Sequence, residues 1–154
     1  MVPLRGYNFS AEVRFVLAEA RKIAVRLGHD AVGQEHLLLA LTAPGQDRVR
    51  AVLAQLGADT DAVHREAESR LTARDRPDER EEFEDREDRQ LPYTQNAKKT
   101  LEFTMMEVRD MDHHTLGVEH LLLGLARAAD PMPRDVLESH GIHVDALRPI
   151  VRDA

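Results

Sequence analysis

The chain contains no cysteine, so it can form no disulfide, present no thiolate nucleophile and bind no metal through sulfur. It has no tryptophan either, and aromatic residues make up only 4% of it. Leucine, valine, alanine and methionine must therefore fill its core. So few aromatics and so few β-branched runs lean towards helix. Long apolar stretches are missing too: the longest surround Leu37–Leu41 and Leu121–Leu125, far short of the ~20 residues that span a bilayer. The opening Met1-Val-Pro-Leu-Arg-Gly6 has no apolar signal core. A soluble, cytoplasmic protein with no membrane contact is expected.

Excess positive charge is also lacking. The formal net charge is −7, which argues against a nucleic-acid partner. More than half of the acidic excess lies between Thr72 and Gln90, where nine acidic residues face five basic ones. Phe83 is the one large apolar side chain there, so the segment reads as a solvated tether. What remains is an ordinary globular mixture, 42% hydrophobic and 32% charged over 154 residues. A chain of that size hides roughly 68–70% of its unfolded surface, enough for a real core.

The strongest positive signal is internal repetition. Gly33-Gln-Glu-His-Leu-Leu-Leu-Ala-Leu41 returns as Gly117-Val-Glu-His-Leu-Leu-Leu-Gly-Leu125, identical at seven of nine positions. The offset is 84 residues. It also pairs Phe9-Ser10 with Tyr93-Thr94, Leu17 with Leu101, His29 with His113, Leu53 with Leu137 and Gly57 with Gly141. A register held without gaps over some sixty residues marks a duplication, with copies at 7–71 and 91–152 joined by the 72–90 tether.

Each copy reads as four helices. The first starts at a hydroxyl N-cap, Ser10 or Thr94, behind an aromatic residue. Val13, Val16, Leu17, Ala20, Ala24 and Leu27 trace its apolar stripe, as Ala97, Leu101, Thr104, Val108 and Met111 do in the second copy. Gly28 is a C′ stop. A short Leu-rich helix starts near Gly33 or Gly117. Pro44-Gly45 and Pro131-Met-Pro133 mark the loop that follows it. A third helix runs to about Leu56 or His140 and closes at Gly57 or Gly141. The fourth begins near Asp59 or Asp145, and Pro149, in about its first turn, predicts a weak or distorted end.

The Phe/Tyr-Ser/Thr helix start, the Leu-Gly-His turn and the doubled Gly-x-Glu-His-Leu-Leu-Leu-x-Leu helix resemble the Clp N-terminal domain. Arg26-Leu-Gly-His29 and Tyr93-Thr-x-x-Ala-Lys-Lys99 resemble its ClpC branch. The resemblance implies an all-α fold, two tandem four-helix Clp repeats in a pseudo-two-fold eight-helix bundle. It also implies a non-catalytic module that captures client proteins or adaptors for a Clp AAA+ unfoldase. Nowhere in the chain is there a Gly-x-x-x-x-Gly-Lys-Ser/Thr phosphate loop. The receptor is thus present without the motor, and it would act as adaptor, decoy or ligand sink. Cyclic-peptide natural products that target ClpC N-domains are a further class of partner.

ClpC N-domains bind phosphoarginine, one pocket per repeat. The resemblance assigns the guanidinium to a carboxylate, Glu35 or Glu119, which can hold it by a forked pair of charge-assisted hydrogen bonds. It assigns the phosphate to the capped helix N-terminus at Ser10 or Thr94, where free N–H groups and the helix dipole favour an anion. Against the family pattern, Gln34 and Val118 replace a threonine. Glu12 and Asn96 stand where an arginine is common. Glu12 would repel a phosphate, so a pocket of Thr94, Lys98, Lys99 and Glu119 is the stronger expectation. As structural features alone, Glu35 and Glu119 are first-turn carboxylates and Ser10 and Thr94 ordinary caps.

His36 and His120 read as packed, hydrogen-bonded residues. His113, His114, Glu119 and His120 include zinc-type donors, but His113 matches His29 in the repeated turn, so no metal and no cofactor are expected. Met105, Met106 and Met111 read as core where they fall on the stripe, with Met106 and Phe103 open to an outward, adaptable surface. A small metal-dependent hydrolase and a helix-turn-helix regulator are the alternatives. The first lacks a metal-ligand spacing and the second a basic recognition helix.

Overall fold

The computed structural model describes residues 8–74, 91–128 and 131–153. Within them lie eight helices: α1 (Ala11–Arg26), α2 (Gln34–Leu41), α3 (Asp47–Ala54), α4 (Thr60–Arg74), α5 (Gln95–Asp110), α6 (Val118–Arg127), α7 (Pro131–Ser139) and α8 (Val144–Asp153). The eight divide into two sets of four, as the repeat predicts. The backbone of α4 continues as helix to Arg74, three residues into the acidic segment, and the rest of that segment lies outside the described residues.

Both long helices start at the expected caps. Ser10 Oγ accepts from the N–H of Val13, and Thr94 Oγ1 from that of Ala97, each at 3.1 Å. They also end alike, in a residue at positive φ: Gly28 at 78° after α1 and Asp112 at 60° after α5. Glycine takes this conformation freely, and aspartate is one of the few other residues that tolerate it.

The duplicated α2 and α6 form the centre of the bundle and touch each other. Leu37, Leu38, Leu41, Leu121, Leu122, Leu123 and Leu125 are each fully enclosed, which explains why these helices are apolar on every side. α1 and α5 pack over them, and α4, α7 and α8 close the flanks. One contact depends on a missing side chain. A Cβ on Gly124 would overlap Thr104 Oγ1 and lie 2.9 Å from the Thr100 carbonyl oxygen. α5 and α6 approach closely there because position 124 is glycine. The equivalent positions of the first copy hold Ala40 and Ala20.

Two short strands, β1 (Asn8–Phe9) and β2 (Thr115–Leu116), pair in parallel, Asn8 with Thr115 and Phe9 with Leu116. A matching bridge joins Val32 to Tyr93. Sequence periodicity gave no sign of either, since each involves only one or two residues. Their topology matters for the site: the lead-in to each repeat's first helix pairs with the turn before the other repeat's Leu-rich helix.

Two expectations about proline need correction. Pro131 and Pro133 lie in the first turn of α7, where a missing N–H costs no intrahelical bond. Pro149 is the sixth residue of α8, and the helix continues past it to Asp153. Leu147 and Val151, both fully buried, anchor α8 on either side of the proline.

Candidate functional site

The Gly-x-Glu-His sequence builds the same local structure twice. Gly33 and Gly117 are the N-caps of α2 and α6, and the following glutamate folds back over its own cap. A Cβ on either glycine would come 2.6 Å from the Oε1 of Glu35 or Glu119. A larger residue there would push the flexible carboxylate tip off its place. Both carboxylates are held against helix N-termini, where the dipole favours negative charge.

The strand pairing sets what faces each carboxylate. Ser10 N donates to Leu116 O at 3.0 Å, and Thr94 N to Val32 O at 2.9 Å. The N-terminus of α1 therefore meets the Gly117-Val-Glu119 start of α6, and that of α5 meets the Gly33-Gln-Glu35 start of α2. A cleft of about 230 Å³ lined by Ser10, Glu12, Arg48, Thr115, Gly117 and Glu119 opens at the first junction. This corrects the expectation of one pocket within each repeat. Ser10 belongs with Glu119, and Thr94 and Lys98 belong on the side of Glu35, because the strands exchange the helix starts between copies.

In the first cleft, Glu119 is 9% exposed and its Oε1 accepts no hydrogen bond from the described residues. Arg48 Nε bonds Glu12 Oε1 at 3.1 Å and stands 3.9 Å from Glu119 Oε1, beyond hydrogen-bond range. A buried carboxylate oxygen with an unused lone pair is costly unless a donor arrives. The cleft is thus poised to accept a hydrogen-bond donor.

The two histidines form a relay in each repeat. Gly33 N donates to His36 Nδ1 at 2.8 Å, so the ring proton sits on Nε2, which donates to His29 Nδ1 at 2.7 Å. Gly117, His120 and His113 repeat the pattern at 2.9 and 2.8 Å. Burial, aided by His29, holds His36 down to about 3. Burial also lowers His120, against the pull of Glu119. Both stay neutral and act as caps: the ring replaces the Glu or Gln that usually reaches back to the N-cap amide. The expected packed, hydrogen-bonded role is what the geometry shows.

Among the described residues, His29, Glu35 and His36 bring potential metal donors within 4.8 Å of one another. Both nitrogens of His36 are already engaged, so a metal could bind there only by breaking the cap or the relay. In the second repeat, His113, His114, Glu119 and His120 line an open surface depression.

Two features went unread in the sequence. One is Arg48. The other is Glu107, 3% exposed, which receives Arg127 Nη1 at 2.8 Å and a forked pair from Arg148 at 3.0 and 2.9 Å. Arg148 holds the Glu107 carboxyl below the usual range, against the effect of burial. Arg127 also lies 4.6 Å from the centre of the Phe103 ring and covers one of its faces; Phe103 and Met106 are both half-buried, and Met105 is core. The usable signal was broken symmetry. At the 84-residue offset, Glu107 matches Ile23 and Arg48 matches Met132.

Comparison with known proteins agrees with this architecture. Residues 8–140 match the family model of the Clp repeat (R) N-terminal domain. The chain is 34% identical over 141 residues to the negative regulator of genetic competence ClpC/MecB of Bacillus subtilis, and 31% identical to the chaperone protein ClpB of Oceanobacillus iheyensis. Each alignment covers 92% of this chain and 16% of the relative. Among solved structures, the N-terminal domain of the chaperone ClpD from Arabidopsis thaliana superposes with a TM-score of 0.68 at 22% identity, over 98% of this chain and 96% of that one. The Hsp104 N-terminal domain from Candida albicans gives 0.71 at 13% identity, over 94% and 89%.

Proposed function

The chain belongs to the Clp repeat N-terminal domain family, and from that premise we propose that it is a non-catalytic receptor for arginine-bearing segments of client or adaptor proteins. Arginine phosphate is its modified ligand, and the junction between Thr94 and Glu35 is the place for it. The observation behind this reading is the pairing of a folded-back carboxylate from one repeat with a capped helix N-terminus from the other. A phosphorylated arginine carries both complementary parts. Its guanidinium suits a carboxylate fork, and its phosphate suits the free N–H groups at the start of α5, beside Thr94 and Lys98.

The chain spans about one sixth of the length of the ClpC and ClpB relatives. The role proposed for it in the chaperone system is that of a recognition unit. It would deliver clients, compete for them or sequester ligands of other N-domains. Pull-downs separate these roles: an adaptor retains a Clp AAA+ unfoldase as well as clients, whereas a decoy retains only the clients.

The direct test is a calorimetric titration with free phosphoarginine, with arginine and phosphate as controls. Saturable binding that is abolished by Glu35→Ala and weakened by Thr94→Ala is the expected result. Absence of phosphoarginine binding up to millimolar ligand would sink the arginine-phosphate assignment.

A further inference from the structure

The two junctions have the same plan, set by the matching strand and bridge, and different charges. Opposite Glu119, the second position after the cap is Glu12, and α3 contributes Arg48. At the 84-residue offset, Asn96 and Met132 correspond to Glu12 and Arg48, and Met132 is a core residue. Arg14 and Lys98 correspond to each other and do not distinguish the junctions, whereas Phe15 replaces Lys99. The Ser10 side has therefore gained an acid and lost a base from the helix start.

Arg48 does not restore that balance for an anion. Its Nε is committed to Glu12 at 3.1 Å, and its guanidinium lies between two carboxylates. Among the residues that line the cleft, the two acids Glu12 and Glu119 and the one base Arg48 leave one net negative charge; Arg14 is not among them. The Oε1 of Glu119, buried and accepting no hydrogen bond, faces a space of about 230 Å³, suited to a single side chain. A cation with several N–H donors satisfies both the lone pair and the charge. A phosphate dianion would meet Glu12 at the mouth, and like charges there disfavour it.

We propose that the two junctions divide the ligand between them: the Ser10–Glu119 cleft takes the unmodified, cationic guanidinium of a peptide arginine, and arginine phosphate is left to the Thr94–Glu35 junction. The division rests on the reading of both junctions as guanidinium receptors. It makes the domain bivalent for segments that carry one modified and one unmodified arginine.

The experiment is an NMR titration of the whole chain with N-acetylarginine methylamide and, separately, with phosphoarginine. Glu119→Gln, Glu35→Gln and Glu12→Asn are run alongside the parent chain. Glu119→Gln keeps the side chain's shape and removes its charge; Glu12 is surface-exposed, so Glu12→Asn leaves the fold undisturbed. The arginine amide should shift resonances of Ser10, Thr115 and Glu119, with affinity falling at least about tenfold in Glu119→Gln and unchanged in Glu35→Gln. Phosphoarginine should show the reverse dependence. Glu12→Asn, which copies Asn96 and releases Arg48, should raise phosphoarginine stoichiometry from one to two.

The proposal is overturned if phosphoarginine occupies the Glu119 cleft of the parent chain, or if Glu119→Gln leaves arginine amide binding intact. Either result leaves phosphoarginine recognition at Glu35 standing. Arginine amide binding through Glu119 with no phosphoarginine binding anywhere would support the cation-selective cleft and remove the phosphate assignment. If neither ligand binds, both proposals fall.

Discussion

At the scale of single residues, the imidazole of His36 does two jobs with one fixed proton. Its Nδ1 must remain bare to cap Gly33, and its Nε2–H must point at His29. Protonation would place a hydrogen against the Gly33 amide inside the core. His36 titrates near 6.5 when unfolded and near 3 when folded, so between those values the unfolded chain binds more protons. Stability should then rise with pH across that window and fall as pH drops from 6.5 towards 3, by up to about 1.4 kcal/mol per unit for each such histidine. His120, lowered for the same reason, adds to the effect. Urea midpoints at pH 7, 6 and 5 check this. His36→Gln, which retains a capping acceptor and cannot titrate, should flatten the slope measurably between pH 6.5 and 5, where most carboxylates have not yet protonated.

The meeting of helices α5 and α6 shows how one duplicated fold tolerates two packings. Gly124 lets α6 approach Thr104, whose hydroxyl donates back to the Thr100 carbonyl at 2.7 Å. The first repeat uses Ala40 and Ala20 instead, both buried. Gly124→Ala gains about 1 kcal/mol of helix propensity and forces an overlap that costs about 1–3. We expect a net loss of up to about 2 kcal/mol in denaturant unfolding. Adding Thr104→Ala, which removes the side-chain overlap, should recover part of it, since the Thr100 carbonyl oxygen would still lie 2.9 Å from the new Cβ. Failure of the second substitution to rescue the first would mean that the two helix pairs cross at different distances. The starts of these helices at Thr94 and Gly117 were legible in the sequence, as was the Gly28 stop of α1, because they depend on local backbone chemistry. The course of α8 through Pro149 was not, since it depends on Leu147 and Val151 reaching the core.

Across the whole molecule, the halves are joined by exchanged strands and by a buried polar contact. Gln34 Nε2 donates to Thr100 Oγ1 at 2.6 Å, from α2 to α5. The symmetry-related positions are Val118 and Val16, both fully buried, so the same junction exists in polar and apolar forms. Thr100→Val alone should cost about 1–3 kcal/mol by stranding the amide of Gln34. Gln34→Val with Thr100→Val should be nearly neutral, as both partners leave together. A double-mutant cycle in urea would read the coupling directly; additive losses would show that the bond contributes nothing beyond its parts.

The sequence by itself determined the duplication, the eight helices, the Leu-rich centre, the caps Ser10 and Thr94 and the first-turn carboxylates Glu35 and Glu119. Periodicity, capping and repetition are properties of neighbours along the chain, and one string of letters carries them. Only the tertiary structure decided which of those four face each other. Two strands of two residues pass the helix starts from one repeat to the other, and such short pairings leave no periodic trace. The same holds for Arg48 at the cleft and for Glu107 between Arg127 and Arg148. Their partners are brought together by packing between helices distant in sequence, and the local sequence of either one carries no sign of them.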